Sequence, residues 1–240
     1  MIKNPARYTG VFRLSNARTK LIQNVTQSKE IKFGDFMEDI VTEYIEKMGY
    51  QNLNKNIGTD LEGNALSADQ VFCDGEDNIY LIEQKIRDDH DSTKKRGQYA
   101  NFKKKYELLK RKYPEKNIIA SMWFIDPSLI KNKKFYIQET KNDVQDIEIY
   151  IYYGEELFSK LFKRTDIWKE LNAHLERNKR ERSKEVIAIP DFDTSEEIYQ
   201  ALKKLKLEER NLYNKLISEK PEYVQLRNEL FPTGKNLERL

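Results

Sequence analysis

Apolar residues recur at helical spacing most clearly over residues 35–48, where Phe36, Ile40, Val41, Tyr44, Ile45 and Met48 mark one face. Gly34-Asp35 opens this pattern and Gly49 stands where a helix end favours glycine, which makes Asp35 the expected N-cap. Residues 15–31 carry a weaker helical pattern of their own, and residues 50–67, polar and rich in Asn and Gly, read as loop. Two short β-rich runs, Val71-Phe72-Cys73 and Ile79-Tyr80-Leu81-Ile82, then flank the polar turn Asp74-Gly75-Glu76-Asp77-Asn78, which is a hairpin signal over 69–85. A helix is expected over 98–112 from Tyr99, Phe102, Tyr106, Leu108 and Leu109, ended by Pro114. Ile118 to Phe124 has the composition of a buried strand, Lys134 to Ile137 of a second, and Ile147 to Tyr152 alternates as a third.

Beyond Gly154-Glu155-Glu156 and a short helix through Leu161-Phe162, the pattern turns helical. One helix is expected over 165–183, an apolar stop at Val186 to Pro190, a helix started by the capping-box spacing Thr194 to Glu197 and ending near 206, and further helix over 207–219 and 222–230. The order predicts an α/β fold of the α+β type: a mixed sheet flanked by helices, with a helical C-terminal subdomain. The expected division is an N-terminal arm and helix over 1–34, a core over 35–162 and the helical subdomain over 163–240.

Composition narrows this modestly. The 240 residues include 43 Lys or Arg and 40 Asp or Glu, a net charge of +3, so a polyanion partner is indicated only where basic residues cluster. The single cysteine, Cys73, excludes an intrachain disulfide framework and a cysteine-based zinc site. No apolar run approaches the ~18 residues of a membrane span, and Met1 to Pro5 leads into no signal-peptide core, so a cytoplasmic location is expected.

The chemistry concentrates at the hairpin. Side chains alternate along a strand, so Glu83 and Lys85 project to one side and Gln84 to the other, and an antiparallel partner brings Asp69 beside them. Two carboxylates and an ammonium at a strand end are the minimum set for holding Mg²⁺ and setting water against a phosphodiester. An ordinary surface ion pair between Glu83 and Lys85 is the plain alternative.

These residues resemble the PD-(D/E)xK nuclease superfamily, and within it a type II restriction endonuclease, over about 35–155 as an αβββαβ core. Asp69 takes the place of the first acid, with Ala68 where the family name anticipates proline, and Glu83 and Lys85 take the places of the second acid and the lysine. The resemblance implies Mg²⁺ held by Asp69, Glu83 and the carbonyl of Gln84, with Lys85 holding the attacking water. Glu38 occupies the place of a frequent helix acid, serving a second metal or a metal-bound water; its plain alternative is a first-turn acid favoured by the helix dipole. The resemblance further implies double-stranded DNA as substrate, a homodimer, a palindromic or near-palindromic target and a companion DNA methyltransferase acting on the same site. A structure-specific repair or recombination nuclease of the superfamily and a non-catalytic DNA-binding protein are the other readings. No G-x-x-x-x-G-K-[ST] motor motif is present.

For DNA contacts, the charged segment 86–97 contributes Arg87, Lys94, Lys95 and Arg96, and the N-terminal region contributes Arg13, Asn16, Arg18 and Lys20. Asp88-Asp89-His90-Asp91 is expected not to form a metal site, since consecutive side chains diverge, and His90 is expected to be a polar contact or solvated. Lys103, Lys104 and Lys105 read as the solvated face of their helix. Arg177, Lys179, Arg180 and Arg182 interleave with acids as an exposed helix does. Cys73, Trp123, Trp168, Tyr150, Tyr152 and Tyr153 are expected to pack.

Overall fold

One helix, α1 (Ala17–Lys47), runs where two were expected. Gly34 and Asp35 lie inside it, so Asp35 is not an N-cap. A mid-helix glycine costs only about 0.5–1 kcal/mol relative to alanine, whereas a break there would strip several backbone groups of their intrahelical partners. The computed structural model describes residues 1–9, 12, 14–60, 62–142, 148–182 and 189–240. The chain forms two compact units, one of Lys32–Ser183 and one of Met1–Ile31 with Lys184–Leu240, and α1 contributes to both.

The stretch read as loop supplies three short strands, β1 (Gln51–Asn52), β2 (Asn56–Thr59) and β3 (Ala65–Ser67). Their apolar content is sparse but well placed: Ile57 on β2 and Leu66 on β3 are both buried. The expected hairpin follows as β4 (Gln70–Cys73) and β5 (Asn78–Lys85), antiparallel with Gln70 opposite Ile82. Asp74 builds its turn, accepting from the Glu76 N–H at 3.0 Å, Asn78 Nδ2 at 2.7 Å and the Tyr80 hydroxyl at 3.1 Å, while Gly75 adopts φ +82°.

Helix α2 (Ser92–Lys112) crosses to β6 (Asn117–Phe124), parallel to β5, and α3 (Lys133–Asn142) crosses to β7 (Glu148–Tyr153), parallel to β6. The sheet order is β1-β4-β5-β6-β7. Lys134 to Ile137 therefore lies in a helix, not in the expected strand. Four residues are too few for period to decide, and two parallel neighbours need a crossover element between them. Tyr136 turns into the core and Ile137 outward. A π-helical turn, Leu157–Phe162, and α4 (Thr165–Glu181) complete this unit.

The sheet is covered on both faces. Val71, Leu81, Met122 and Phe124 pack with Tyr99, Phe102, Tyr106 and Leu109 of α2. Phe72, Ile82 and Trp123 pack with Met37, Val41 and Ile45 of α1 and with Ile167 and Leu171 of α4. Glu83 and Lys85 share the side of Leu81, facing α2, and Gln84 shares the side of Ile82, facing α1. Trp123, Tyr152 and Tyr153 pack as expected, Trp168 lies against the α1 side, and Tyr150 is exposed. Cys73 is half-buried, at the edge of the α2-side core.

The other unit adds α5 (Glu196–Glu208), α6 (Arg210–Leu216), α7 (Pro221–Leu230) and α8 (Lys235–Glu238). Leu202, Leu216, Leu226, Leu230 and Phe231 close around Ala17. Ser195 caps α5 by accepting from the Ile198 N–H, while Thr194 bonds to Asp191 instead. Of the expected apolar stop, Val186, Ile187 and Ala188 lie outside the described residues, as does Ile147. No helix among the described residues is long and apolar enough to cross a membrane.

Candidate active site

Asp69 sits immediately before β4, one step beyond the Gln70–Ile82 pair, which places it opposite Glu83. Its Oδ2 accepts from the Gln84 backbone N–H at 2.6 Å and lies 3.3 Å from Lys85 Nζ. Lys85 Nζ also lies 2.8 Å from Glu83 Oε1 and 2.7 Å from the carbonyl oxygen of Gln84. Oxygens of Asp69, Glu83 and Gln84 thus converge on one ammonium. Strand alternation predicts Asp69, Glu83 and Lys85 together, and the structure brings them together with the Gln84 carbonyl.

The fit of this donor set to a hard divalent cation follows from that convergence. Two carboxylates and a backbone carbonyl are the ligand types Mg²⁺ takes, and a cationic group already satisfies them. Among the described residues there is no group of three or more His, Cys, Asp or Glu side chains placed to hold a metal ion. The third donor here is a main-chain oxygen.

Burial and like charge raise the Asp69 carboxyl above its ordinary range: desolvation comes first and the Glu83 carboxylate next, opposed by Lys85, Lys105 and the Gln84 N–H. Burial works against the Lys85 charge, but Glu83 and Asp69 outweigh it and hold the ammonium above its usual range. Glu38, on α1, is pushed up to about 7 by burial and then by Asp69. Its ion-pair partner is Lys55, at 3.9 Å, from the segment between β1 and β2.

A buried polar bridge ties α1 to the hairpin. Gln70 Nε2 donates to the Glu38 carbonyl at 2.8 Å and to Gln84 Oε1 at 2.9 Å, and its Oε1 accepts from the Thr42 hydroxyl at 2.8 Å. Gln70 is fully buried. Its signal in the sequence is a glutamine within a strand otherwise made of Val, Phe and Cys.

The largest departure from expectation is Lys105. It is not on a solvated face: it is 6% exposed, and its Nζ lies 2.6 Å from Glu83 Oε2. The stripe Tyr99, Phe102, Tyr106 and Leu109 that identified α2 also contains position 105, three residues after Phe102. A lysine on that stripe was the available signal. Lys104 is exposed and pairs with Asp60 and Glu62.

Helix α2 begins at Ser92, earlier than the expected 98, because Asp91 caps it by accepting from the Thr93 and Lys94 N–H groups. Lys94, Lys95 and Arg96 therefore occupy its first turns; Lys94 and Arg96 are exposed, and Lys95 Nζ lies 4.6 Å from the Phe135 ring centre. Arg87 is exposed, 3.9 Å from Asp89. Asp88 is fully buried, accepting from the Asn132 N–H and the Tyr153 hydroxyl at 2.8 Å each. His90 is half-buried and its imidazole is lowered by desolvation and by Lys94.

In the other unit Arg18 bonds to Asp191 and to the Ile189 carbonyl, Lys20 reaches Gln23, and Asn16 Oδ1 accepts from the Thr19 N–H at the start of α1. Arg13 lies outside the described residues.

Compared with known families, the chain matches the model described as type II restriction endonuclease, HinfI, over residues 1–67 and 58–179. No curated protein and no solved structure matches it.

Proposed function

Because the chain belongs to the HinfI family of type II restriction endonucleases, we propose that it cleaves double-stranded DNA at one short sequence by Mg²⁺-dependent phosphodiester hydrolysis at Asp69, Glu83 and Lys85. The observation that carries this reading is the convergence of Asp69 Oδ2, Glu83 Oε1 and the Gln84 carbonyl on Lys85 Nζ.

Asp69, Glu83 and the Gln84 carbonyl are the groups that would hold Mg²⁺, which supplies Lewis-acid polarisation of the scissile phosphate. Lys85, the more exposed of the two lysines on Glu83, holds the attacking water and offsets charge that develops on the phosphoryl oxygens. Glu38, on α1 beside Asp69, would serve a second metal or a metal-bound water. Lys94, Lys95 and Arg96 contact phosphates; the ten residues from Lys95 to Lys105 correspond to about 15 Å of helix rise. Arg87 extends that surface, and Arg13, Asn16, Arg18 and Lys20 are assigned DNA contacts from the N-terminal region. The working form is a homodimer, one site per strand, and a methyltransferase of the same specificity protects the host DNA.

The test is a digest of unmethylated phage DNA with Mg²⁺ at about 10 mM, well above the needs of a weak carboxylate site, beside the same digest in EDTA. Discrete bands confined to the Mg²⁺ lanes, with ends mapping to one sequence, are expected. A smear, or DNA left intact in both, contradicts the proposal.

A further inference from the structure

Glu83 is held by two lysines that are not equivalent. Lys85 Nζ donates to Glu83 Oε1 and also to the oxygens of Asp69 and Gln84, and its side chain is 22% exposed. Lys105 Nζ takes the other oxygen, Oε2, at 2.6 Å, with its side chain 7% exposed. Lys105 is fixed by its surroundings: it leaves the buried face of α2 between Phe102 and Leu109, both in the core under the sheet. An incoming cation can take the place of the Lys85 ammonium, which has water to turn to. Lys105 has little water available, and separating it from Glu83 would leave a buried charge uncompensated.

We propose that Lys105 is a positioning residue: it keeps Oε2 of Glu83 occupied, so that this carboxylate offers only Oε1 to a divalent cation and the site favours Mg²⁺ over Ca²⁺. Mg²⁺ demands a small, near-octahedral shell, to which a carboxylate contributes one oxygen. Ca²⁺ takes more oxygens at longer range and readily uses both oxygens of a carboxylate. Locking Oε2 withholds one of those oxygens and leaves the Mg²⁺ shell intact. This inference rests on the reading of Asp69, Glu83 and Gln84 as cation ligands.

The experiment is calorimetric titration of Mg²⁺ and, separately, Ca²⁺ into the full chain without DNA, for the wild type, Lys105→Met, Lys105→Arg and Glu83→Gln. Lys105→Met is expected to shift the affinity ratio toward Ca²⁺ by about tenfold or more. Lys105→Arg, which keeps a cation on Oε2, is expected to hold the wild-type ratio. Infrared difference spectra of the Ca²⁺-loaded proteins, taken against Glu83→Gln, read the ligation directly: the wild type shows the wide carboxylate splitting of one-oxygen binding, and Lys105→Met the narrow splitting of two.

An unchanged ratio in folded Lys105→Met, or two-oxygen binding in the wild type, overturns the inference alone. The infrared spectrum of the wild type decides the matter even where Lys105→Met does not fold. Cation binding by Glu83→Gln equal to that of the wild type overturns the ligand reading, and this inference with it.

Discussion

The backbone N–H of Gln84 donates to Oδ2 of Asp69 at 2.6 Å, so the residue just before β4 is fastened to the middle of the Glu83-Gln84-Lys85 tripeptide. Asp69 therefore has a structural duty beside its proposed chemical one. Asp69→Ala leaves that N–H without its acceptor and should cost about 1–3 kcal/mol in urea unfolding. Asp69→Asn keeps an acceptor and should retain most of the stability. Both should lose cleavage by at least about a hundredfold, since neither supplies a second carboxylate to the cation. Stability and activity falling together in Asp69→Asn would reduce Asp69 to a structural residue.

Lys85 Nζ stands where the proposed cation ligands converge, so ammonium and cation are expected to compete. Lys85→Met should bind Mg²⁺ and Ca²⁺ more tightly than the wild type, because the carboxylates lose their internal counter-charge, and yet should not cleave. Thermal melts with and without Mg²⁺ read the first effect as a larger cation-induced rise in Tm. A smaller rise than in the wild type would place the cation elsewhere.

Glu38 gives the folded chain a pH signature. Its ordinary value is 4.5 and in the fold it is about 7, so between those values the folded chain keeps a proton that the unfolded chain has released. That contribution to stability is fully present below about 4.5 and is lost as pH rises through about 7. In chelator, the Tm of the wild type should fall relative to that of Glu38→Gln as pH is raised from about 5 to about 8. Parallel profiles would show that Glu38 does not titrate in this window.

Arg96 is exposed on the first turns of α2 and is assigned to phosphate contact. Arg96→Ala should weaken binding to cognate and random duplexes alike and reduce the slope of log affinity against log salt by about one. A loss confined to the cognate duplex would instead make Arg96 a base-reading residue.

The site was legible in the sequence where one short segment carries both the period and the chemistry. Glu83 and Lys85 share a face because strands alternate, and Gly75 and Asp74 announce the turn that returns the chain toward Asp69. What was not legible comes from long-range burial. Charge alone makes Lys105 one of three solvated lysines, although its place on the stripe with Phe102 and Leu109 sets it apart from Lys103 and Lys104. Gln70 depends on Thr42 and Gln84, distant in sequence, for its meaning. Phe135 and Tyr136 within Lys134 to Ile137 carry strand-like composition, and only the crossover between two parallel strands makes that segment a helix. Asp35 follows a glycine and looks like a cap, but the ladder of α1 simply continues through it.

The most direct test of the central claim is cleavage of one DNA fragment by the wild type and by Glu83→Ala in Mg²⁺, beside a gel-shift assay of each protein on the same fragment in Ca²⁺. Glu83 is proposed to offer Oε1 to the cation while its Oε2 holds the buried Lys105, so a shifted band retained by the variant also reports that the fold survives the substitution. The expected result is cleavage by the wild type alone, with the shifted band retained by the variant. Cleavage by Glu83→Ala at the wild-type rate would contradict the assignment of the Asp69, Glu83 and Lys85 cluster as the catalytic site.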